Sequence, residues 1–352
     1  MQNLAELQYI QTLAFEYNMP DLEFVGVSDK GISSYNAILK TSDGRQFFVK
    51  QYKQDDAERR ENSNLIERYI SAHSSVPVVL PLETTSGDYQ VYVEGKMYTV
   101  FPYQDHNDTA PDSAEEKQKQ IYQLAKTLGL IHSIPTTELI GVDTIERWAP
   151  KDISERIAHL EHIQTTIGKR ETLDEFDSLA LKVIRERKMM LSKIDVPNTV
   201  TVTDTICHGD YHSQNILLNN EMEVIGVVDW DICGLSDPYV DFLNSFKMTV
   251  IGRKYDTYQM DRREDANSFI KGYIAGASFE FDIARLKNAA NTLAQVVVGS
   301  SWPLDEHYFM DYTKADGHLE KELLKAQFFN QSRTEMVHFI SIVLDEVKSS
   351  IY

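Results

Sequence analysis

Cys207-His208-Gly209-Asp210-Tyr211-His212-Ser213-Gln214-Asn215-Ile216-Leu217-Leu218 is the stretch on which the reading of this chain turns. Ile216–Leu218 reads as an apolar strand, Asn219-Asn220-Glu221 as a turn, and Val224–Val228 as a second strand that delivers Asp229-Trp230-Asp231. A short β-hairpin thus joins two loops that carry Asp210, Asn215 and Asp229. Alone, each of these is most often a turn or cap residue; the combined spacing carries the meaning. Phosphoryl transfer asks little covalent chemistry of a protein, but the acceptor hydroxyl must be positioned and the triphosphate charge neutralised. The Asp210 carboxylate can accept a hydroxyl proton. The Asn215 amide oxygen and the Asp229 carboxylate are hard oxygen ligands of the kind Mg²⁺ takes.

Outward from this hairpin, the chain divides in character near residue 104. Before it, Leu22–Val27, Tyr35–Lys40 and Gln46–Tyr52 read as strands, with Thr41-Ser42-Asp43-Gly44 as a hairpin turn. Asp55–Ala72 reads as a helix, and Val76–Leu80, Tyr89–Val93 and Lys96–Tyr103 as further strands, with Glu94-Gly95 as a tight turn. A helix inserted into an antiparallel sheet is an α+β arrangement. Beyond 104 the periodicity is helical. Ser113-Ala114-Glu115-Glu116 offers a capping box, and Ile121, Leu124, Ala125, Leu128, Ile131 and His132 form one apolar stripe that Pro135 ends. Charged helices are expected over 152–168 and 172–194, strands within 201–228, and helices again from about 237. The expected lobes are 1–104 and 105–352.

Composition bounds the partners. The chain has 352 residues, 35 basic against 54 acidic, and a formal net charge of −19. Residues 1–104 hold nine basic and fourteen acidic side chains, so the excess is spread rather than gathered in a tail. Such a surface argues against nucleic acid or an anionic membrane as partner. No signal-like start is apparent, and two cysteines, Cys207 and Cys233, do not make a disulfide framework. The expectation is a cytoplasmic protein with two small buried thiols.

The combination of His208-Gly209-Asp210, His212, Asn215-Ile216-Leu217 and Gly226-Val227-Val228-Asp229-Trp230-Asp231 resembles the signature of the aminoglycoside phosphotransferase and choline-kinase-like family. These are small-molecule kinases with a bilobal, protein-kinase-like fold. Leu124-Ala125, Leu128-Gly129 and Ile131-His132 are similar to that family's Leu-His helix, and Gly234-Leu235-Ser236-Asp237-Pro238 with Asp241 to its Gly-x-Gly-Asp-Pro-x-x-Asp segment. The resemblance implies an N-terminal sheet lobe with one helix that binds nucleotide, and a larger helical lobe for catalysis and acceptor. It implies ATP or GTP as donor and Mg²⁺ as cofactor. Asp210 would be the base, Asn215 and Asp229 metal ligands with Asp231 assisting, His208 a support of the loop, and Asp241 its brace. Lys50, at the end of Phe47-Phe48-Val49, would hold the α/β-phosphates. Glu61 is the chosen helix partner of Lys50, with Glu58 and Glu67 as alternatives. Adenine would lie against Val100, Phe101, Pro102, Tyr103 and Gln104; Pro102 has no N–H, which leaves Tyr103 or Gln104 as donor. The loop from Ser28 to Asn36 has a single glycine, so Ser33 and Ser34 or backbone amides must cradle phosphate. No glycine follows the hinge, and Tyr211 and Gln214 stand where the family commonly has Leu and Gly.

For the acceptor, Trp302, Asp305, Glu306, Tyr308, Phe309, Asp311 and Tyr312 interleave acids with aromatics, which suits a cation such as an aminoglycoside, choline or another amine. An amphipathic helix with a solvated acidic face is the plainer explanation of the same run. His212 and Asp237 join Trp302, Asp305 and Glu306 as acceptor candidates. Two alternatives stay open: a catalytically silent, spore-coat-like member of the fold, and a kinase of homoserine, thiamine or methylthioribose type. A protein kinase is disfavoured by His-Gly-Asp and Asp-Trp-Asp in place of His-Arg-Asp and Asp-Phe-Gly.

Overall fold

The computed structural model describes residues 4–28, 34–52, 57–107, 109–145, 148, 152–194, 204–252, 262–310, 312–313 and 315–351. The chain groups into two compact units. The first gathers Met1–Thr109, Leu139–Val142 and Asn215–Cys233, so the hairpin of the diagnostic stretch groups with the N-terminal part. The second comprises Ala110–Glu138, Asp143–Gln214 and Gly234–Tyr352.

In the first unit, helix α1 (Leu4–Glu16) precedes β1 (Glu23–Ser28), β2 (Ser34–Lys40), β3 (Gln46–Tyr52), helix α2 (Ala57–His73), β4 (Val91–Val93) and β5 (Lys96–Pro102). The five strands form one antiparallel sheet in the order β1-β2-β3-β5-β4. Its turns follow the sequence. Gly44 takes φ +89° at the β2–β3 turn, and Glu94 (φ 51°) with Gly95 (φ 76°) makes the β4–β5 turn, the paired positive-φ geometry that matches strand twist. α1 is an addition to the sequence reading. Its Ile10 and Leu13, with Tyr17 beyond it, are buried with Leu39, Phe47, Val49, Val91 and Val100 in one core, and Tyr9 stacks on Tyr98 at 5.3 Å.

The expected strand over Val76–Leu80 is not formed. A single parallel bridge joins Val78 to Val227. Pro77 has no N–H to give a ladder, and it serves as acceptor instead, taking the Val227 N–H at 2.7 Å, while the Val79 N–H donates to Val227 O at 3.3 Å. These bonds attach the hairpin of β7 (Ile216–Leu218) and β8 (Val224–Val227) to the first unit.

The second unit is mainly helical. It contains α3 (Ala114–His132), α4 (Ile153–Ile167), α5 (Glu175–Leu191), α6 (Pro238–Phe246), α7 (Arg263–Gly276), α8 (Ile283–Val298), α9 (Leu304–Phe309) and α10 (Leu319–Ile351). A two-stranded ribbon of β6 (Thr205–Cys207) and β9 (Gly234–Ser236) accompanies them. Ser113 caps α3 by accepting the Glu116 N–H, and the Glu116 carboxylate takes the N–H of Asp112 at 2.9 Å. α3 and α7 approach backbone to backbone. A Cβ on Gly276 would lie 2.0 Å from Lys126 O, and one on Gly272 2.2 Å from Tyr122 O. Cys207 and Cys233 are buried free thiols, and burial pushes the ionisation of both upward. Among the described residues no helix is long and apolar enough to cross a membrane.

Candidate active site

In the first unit the site begins on β3. Its residues alternate toward the core, with Phe47 and Val49 buried; Lys50, opposite Thr99 on β5, is buried too, at 6% exposure. A lysine this deep needs counter-charges. It has two: Nζ lies 2.6 Å from Asp229 Oδ1 and also pairs with the Asp231 carboxylate. Burial works against the ammonium charge, but the two carboxylates outweigh it and hold the lysine proton above the ordinary range.

Those carboxylates are placed by the hairpin. The Val228 N–H donates to Asn215 O at 3.0 Å, so Asn215 sits across from Val228 and next in register to Asp229. Asp229 takes φ 64°, a left-handed turn that ends the strand. Helix α2 then grips the following loop. Ser63 Oγ donates to Trp230 O at 2.9 Å and Asn62 Nδ2 to Cys233 O at 3.1 Å, while Trp230 Nε1 donates to Val227 O at 3.0 Å. Asp231 accepts the Tyr52 hydroxyl at 3.2 Å and lies 3.6 Å from the Arg60 guanidinium. Burial alone would raise the Asp231 carboxyl, and Lys50 and Arg60 pull it below the usual carboxylate range.

In the second unit, Asp210 follows β6 on a loop fixed from behind. The Asp241 carboxylate, fully buried at the start of α6, accepts the His208 N–H at 2.8 Å and faces His132 Nε2 at 3.3 Å. His132 in turn meets the Tyr273 hydroxyl at 2.8 Å. The Asp210 N–H donates to His208 Nδ1 at 3.3 Å, and the buried Tyr211 hydroxyl anchors the loop to Leu124 O at 2.8 Å. His212 Nδ1 accepts the Gln214 N–H at 3.2 Å, which leaves the Nε2 proton facing Asp210 Oδ2 at 3.4 Å. Asp210 itself is partly open, its side chain 41% exposed.

The other expected residues fall into place unequally. Glu61 is exposed on α2, as is Glu58. The buried acid of that helix is Glu67, which lies 2.5 Å from Arg60 and feels the charge of Lys50. Ser33 lies outside the described residues, and Ser34 opens β2 opposite Tyr52. Val100 is buried, whereas Phe101, Pro102, Tyr103 and Gln104 are part-buried. The Tyr103 N–H already donates to Gln46 O at 3.0 Å. Asp237 caps α6, accepting the Tyr239 N–H at 3.0 Å with Arg285 at 3.4 Å. Asp305 pairs with His159 at 2.8 Å and takes the Ser301 hydroxyl; Tyr308 donates to Asp177 at 2.8 Å. Trp302 packs beside His318, and Glu306 keeps one carboxylate oxygen buried without a hydrogen bond among the described residues. The acids at 237 and 305 thus have partners within their own unit. Arg60, Tyr52, Asn62 and Ser63 were not singled out from sequence.

Asn215, Asp229 and Asp231 offer one amide and two carboxylate groups on a single hairpin. This all-oxygen donor set suits a hard divalent cation rather than a thiophilic one.

Residues 27–287 match the model of a family described as the phosphotransferase enzyme family. No curated protein sequence matches the chain. Among solved structures, a spectinomycin phosphotransferase in complex with ADP and spectinomycin is similar at 15% identity and TM-score 0.59, with 96% of this chain and 98% of that one covered. An amicoumacin kinase in complex with AMP-PNP, Ca²⁺ and Ami gives 17% and 0.58, covering 94% and 93%. An ethanolamine kinase of Plasmodium vivax gives 15% and 0.58, covering 95% and 91%. At these identities the likeness is one of fold: a five-stranded antiparallel sheet with a helical C-terminal part, as in protein-kinase-like proteins.

Proposed function

The chain belongs to the phosphotransferase enzyme family, small-molecule enzymes that hand a phosphoryl group to an alcohol, and we propose that it transfers the γ-phosphate of ATP or GTP to a hydroxyl of an amine-bearing small molecule. The observation that carries this reading is the buried Lys50 held between Asp229 and Asp231. It joins a phosphate-gripping cation to carboxylates that can take a metal, on one sheet and one hairpin. In this assignment Asn215 and Asp229 hold Mg²⁺, with Asp231 beside them, and the ion neutralises the phosphate oxygens when bound. Lys50 takes the α/β-phosphates. Asp210 accepts the proton of the acceptor hydroxyl, its loop kept rigid by His208 and Asp241. Because the Tyr103 N–H is engaged by Gln46, the hinge donor to the base falls to Gln104. Residues 1–104 would serve the nucleotide and 105–352 the acceptor. The amine-bearing acceptor rests on the neighbours, which are described as acting on spectinomycin, amicoumacin and ethanolamine. The acid–aromatic run at 302–312 supports it less, since Asp305 has a partner of its own.

The test is a nucleotide-consumption screen with ATP and GTP over aminoglycosides, amino alcohols, other amines and sugars, repeated with two variants. Asp210→Ala should lower turnover by about 10³-fold, in the range a positioned base contributes, with Mg·ATP affinity nearly unchanged. Asp229→Ala should weaken nucleotide binding only when Mg²⁺ is present. Retained turnover in the first variant, or unchanged metal dependence in the second, would sink the assignment of that residue.

A further inference from the structure

We propose, on the footing of the function assigned above, that Arg60 is a positioning residue for phosphoryl transfer: from helix α2 it fixes the Asp231 carboxylate, and through it the Lys50 ammonium. Arg60 is 2% exposed, among the most buried large side chains of the chain. Its guanidinium lies 2.5 Å from Glu67, 3.6 Å from Asp231 and 5.5 Å from the ring of Phe101 on β5. A buried guanidinium is costly to desolvate, and an apolar side chain would join α2 to the sheet at least as well. The charge therefore calls for a use beyond packing.

The use follows from how Asp231 is surrounded. Lys50, Tyr52 and Arg60 all approach its carboxylate. Once Lys50 is assigned to phosphate and Asp229 to metal, Tyr52 and Arg60 are the named groups that still hold Asp231. Arginine suits this better than lysine, because its planar fork can address Glu67 and Asp231 together. Two further donors, Arg60 Nε and Nη1, make no hydrogen bond among the described residues, so Glu67 does not exhaust the guanidinium. The helix that carries Arg60 also holds the loop backbone through Asn62 and Ser63. Backbone and carboxylate of the Asp229–Cys233 turn are thus both referred to α2.

The test needs no acceptor. Arg60→Met alone strands the Glu67 carboxyl, so the informative variant is R60M/E67L, which replaces the buried pair by apolar side chains, with Arg60→Lys as companion. ATP affinity is measured calorimetrically with and without Mg²⁺, beside far-UV circular dichroism and thermal melting. The expected result is a folded R60M/E67L protein whose Mg·ATP affinity falls about tenfold or more while its metal-free ATP affinity stays near wild type, and a similar loss in Arg60→Lys. Wild-type Mg·ATP affinity in either folded variant would reduce Arg60 to a packing role and overturn the proposal. Should R60M/E67L not fold, Arg60→Lys decides by the same criterion. A wild-type protein that binds neither ATP nor GTP would instead remove the nucleotide reading on which the proposal stands.

Discussion

At the scale of single residues, Glu67 shows what burial does to an acid of the first unit. It is 1% exposed, and burial drives its carboxyl up to about 7 against the pull of Arg60 and Lys50. The sign of the consequence is fixed by linkage. The folded protein holds this proton more tightly than the unfolded chain, so the stabilisation is complete below about 4.5 and is lost as pH rises toward about 7. Glu67→Gln should flatten the pH dependence of stability in that window, read from urea midpoints at pH 4.5, 6 and 7.5; an unchanged slope would assign the dependence to other groups. Residues of this kind are the least legible from sequence. Asp210, Asn215 and Asp229 announce themselves by their spacing on the two loops that one hairpin joins. Arg60 and Tyr52 meet Asp231 only because the sheet and α2 bring distant parts of the chain together, and no local pattern encodes a long-range charge contact. Glu61 is the natural choice on α2 from sequence alone, yet the helix turns it to solvent and buries Glu67.

Among elements, the pairing of α3 with α7 makes the firmest claim. Gly272 and Gly276 let the two backbones meet, and a methyl group at 276 would be driven into Lys126 O. Gly276→Ala should destabilise the protein by about 3 kcal/mol or more, since the clash is with backbone that cannot rotate away. A thermal melt within a degree of wild type would show that the helices separate freely. The effect should reach the Asp210 loop, because His132 on α3 and Tyr273 on α7 meet at 2.8 Å behind Asp241. The strands of the sheet were readable because alternation and turn chemistry agree at Thr41–Gly44 and Glu94-Gly95. The segment around Pro77 misled because apolar composition resembles a strand, while the missing N–H reduces it to a bridge. Helix α1 carries its signal in Ile10, Leu13 and, one residue past its end, Tyr17, a stripe of three beside a β-rich segment that dominates the reading.

For the molecule as a whole, the α+β class follows from the change of periodicity near residue 104, while the kinase-like fold is implied by the resemblance that the motifs between His208 and Asp231 carry. What the sequence pattern does not convey is the grouping of Asn215–Cys233 with the N-terminal sheet. A fragment ending at Thr109 lacks the partner of Pro77 and Val79 and the loop that Asn62 and Ser63 hold. Expressed alone, it should give the poorly dispersed amide spectrum of an unfolded chain; a well-dispersed spectrum would mean that the ribbon is dispensable. The same grouping constrains how such proteins can be recombined. A chimera that keeps one parent's sheet and takes everything downstream from another would graft a foreign β7–β8 hairpin, with the metal ligands proposed for it, onto contacts that evolved with its own. Crossovers that respect inheritance here keep the short insert alongside the distant amino-terminal sequence that it completes.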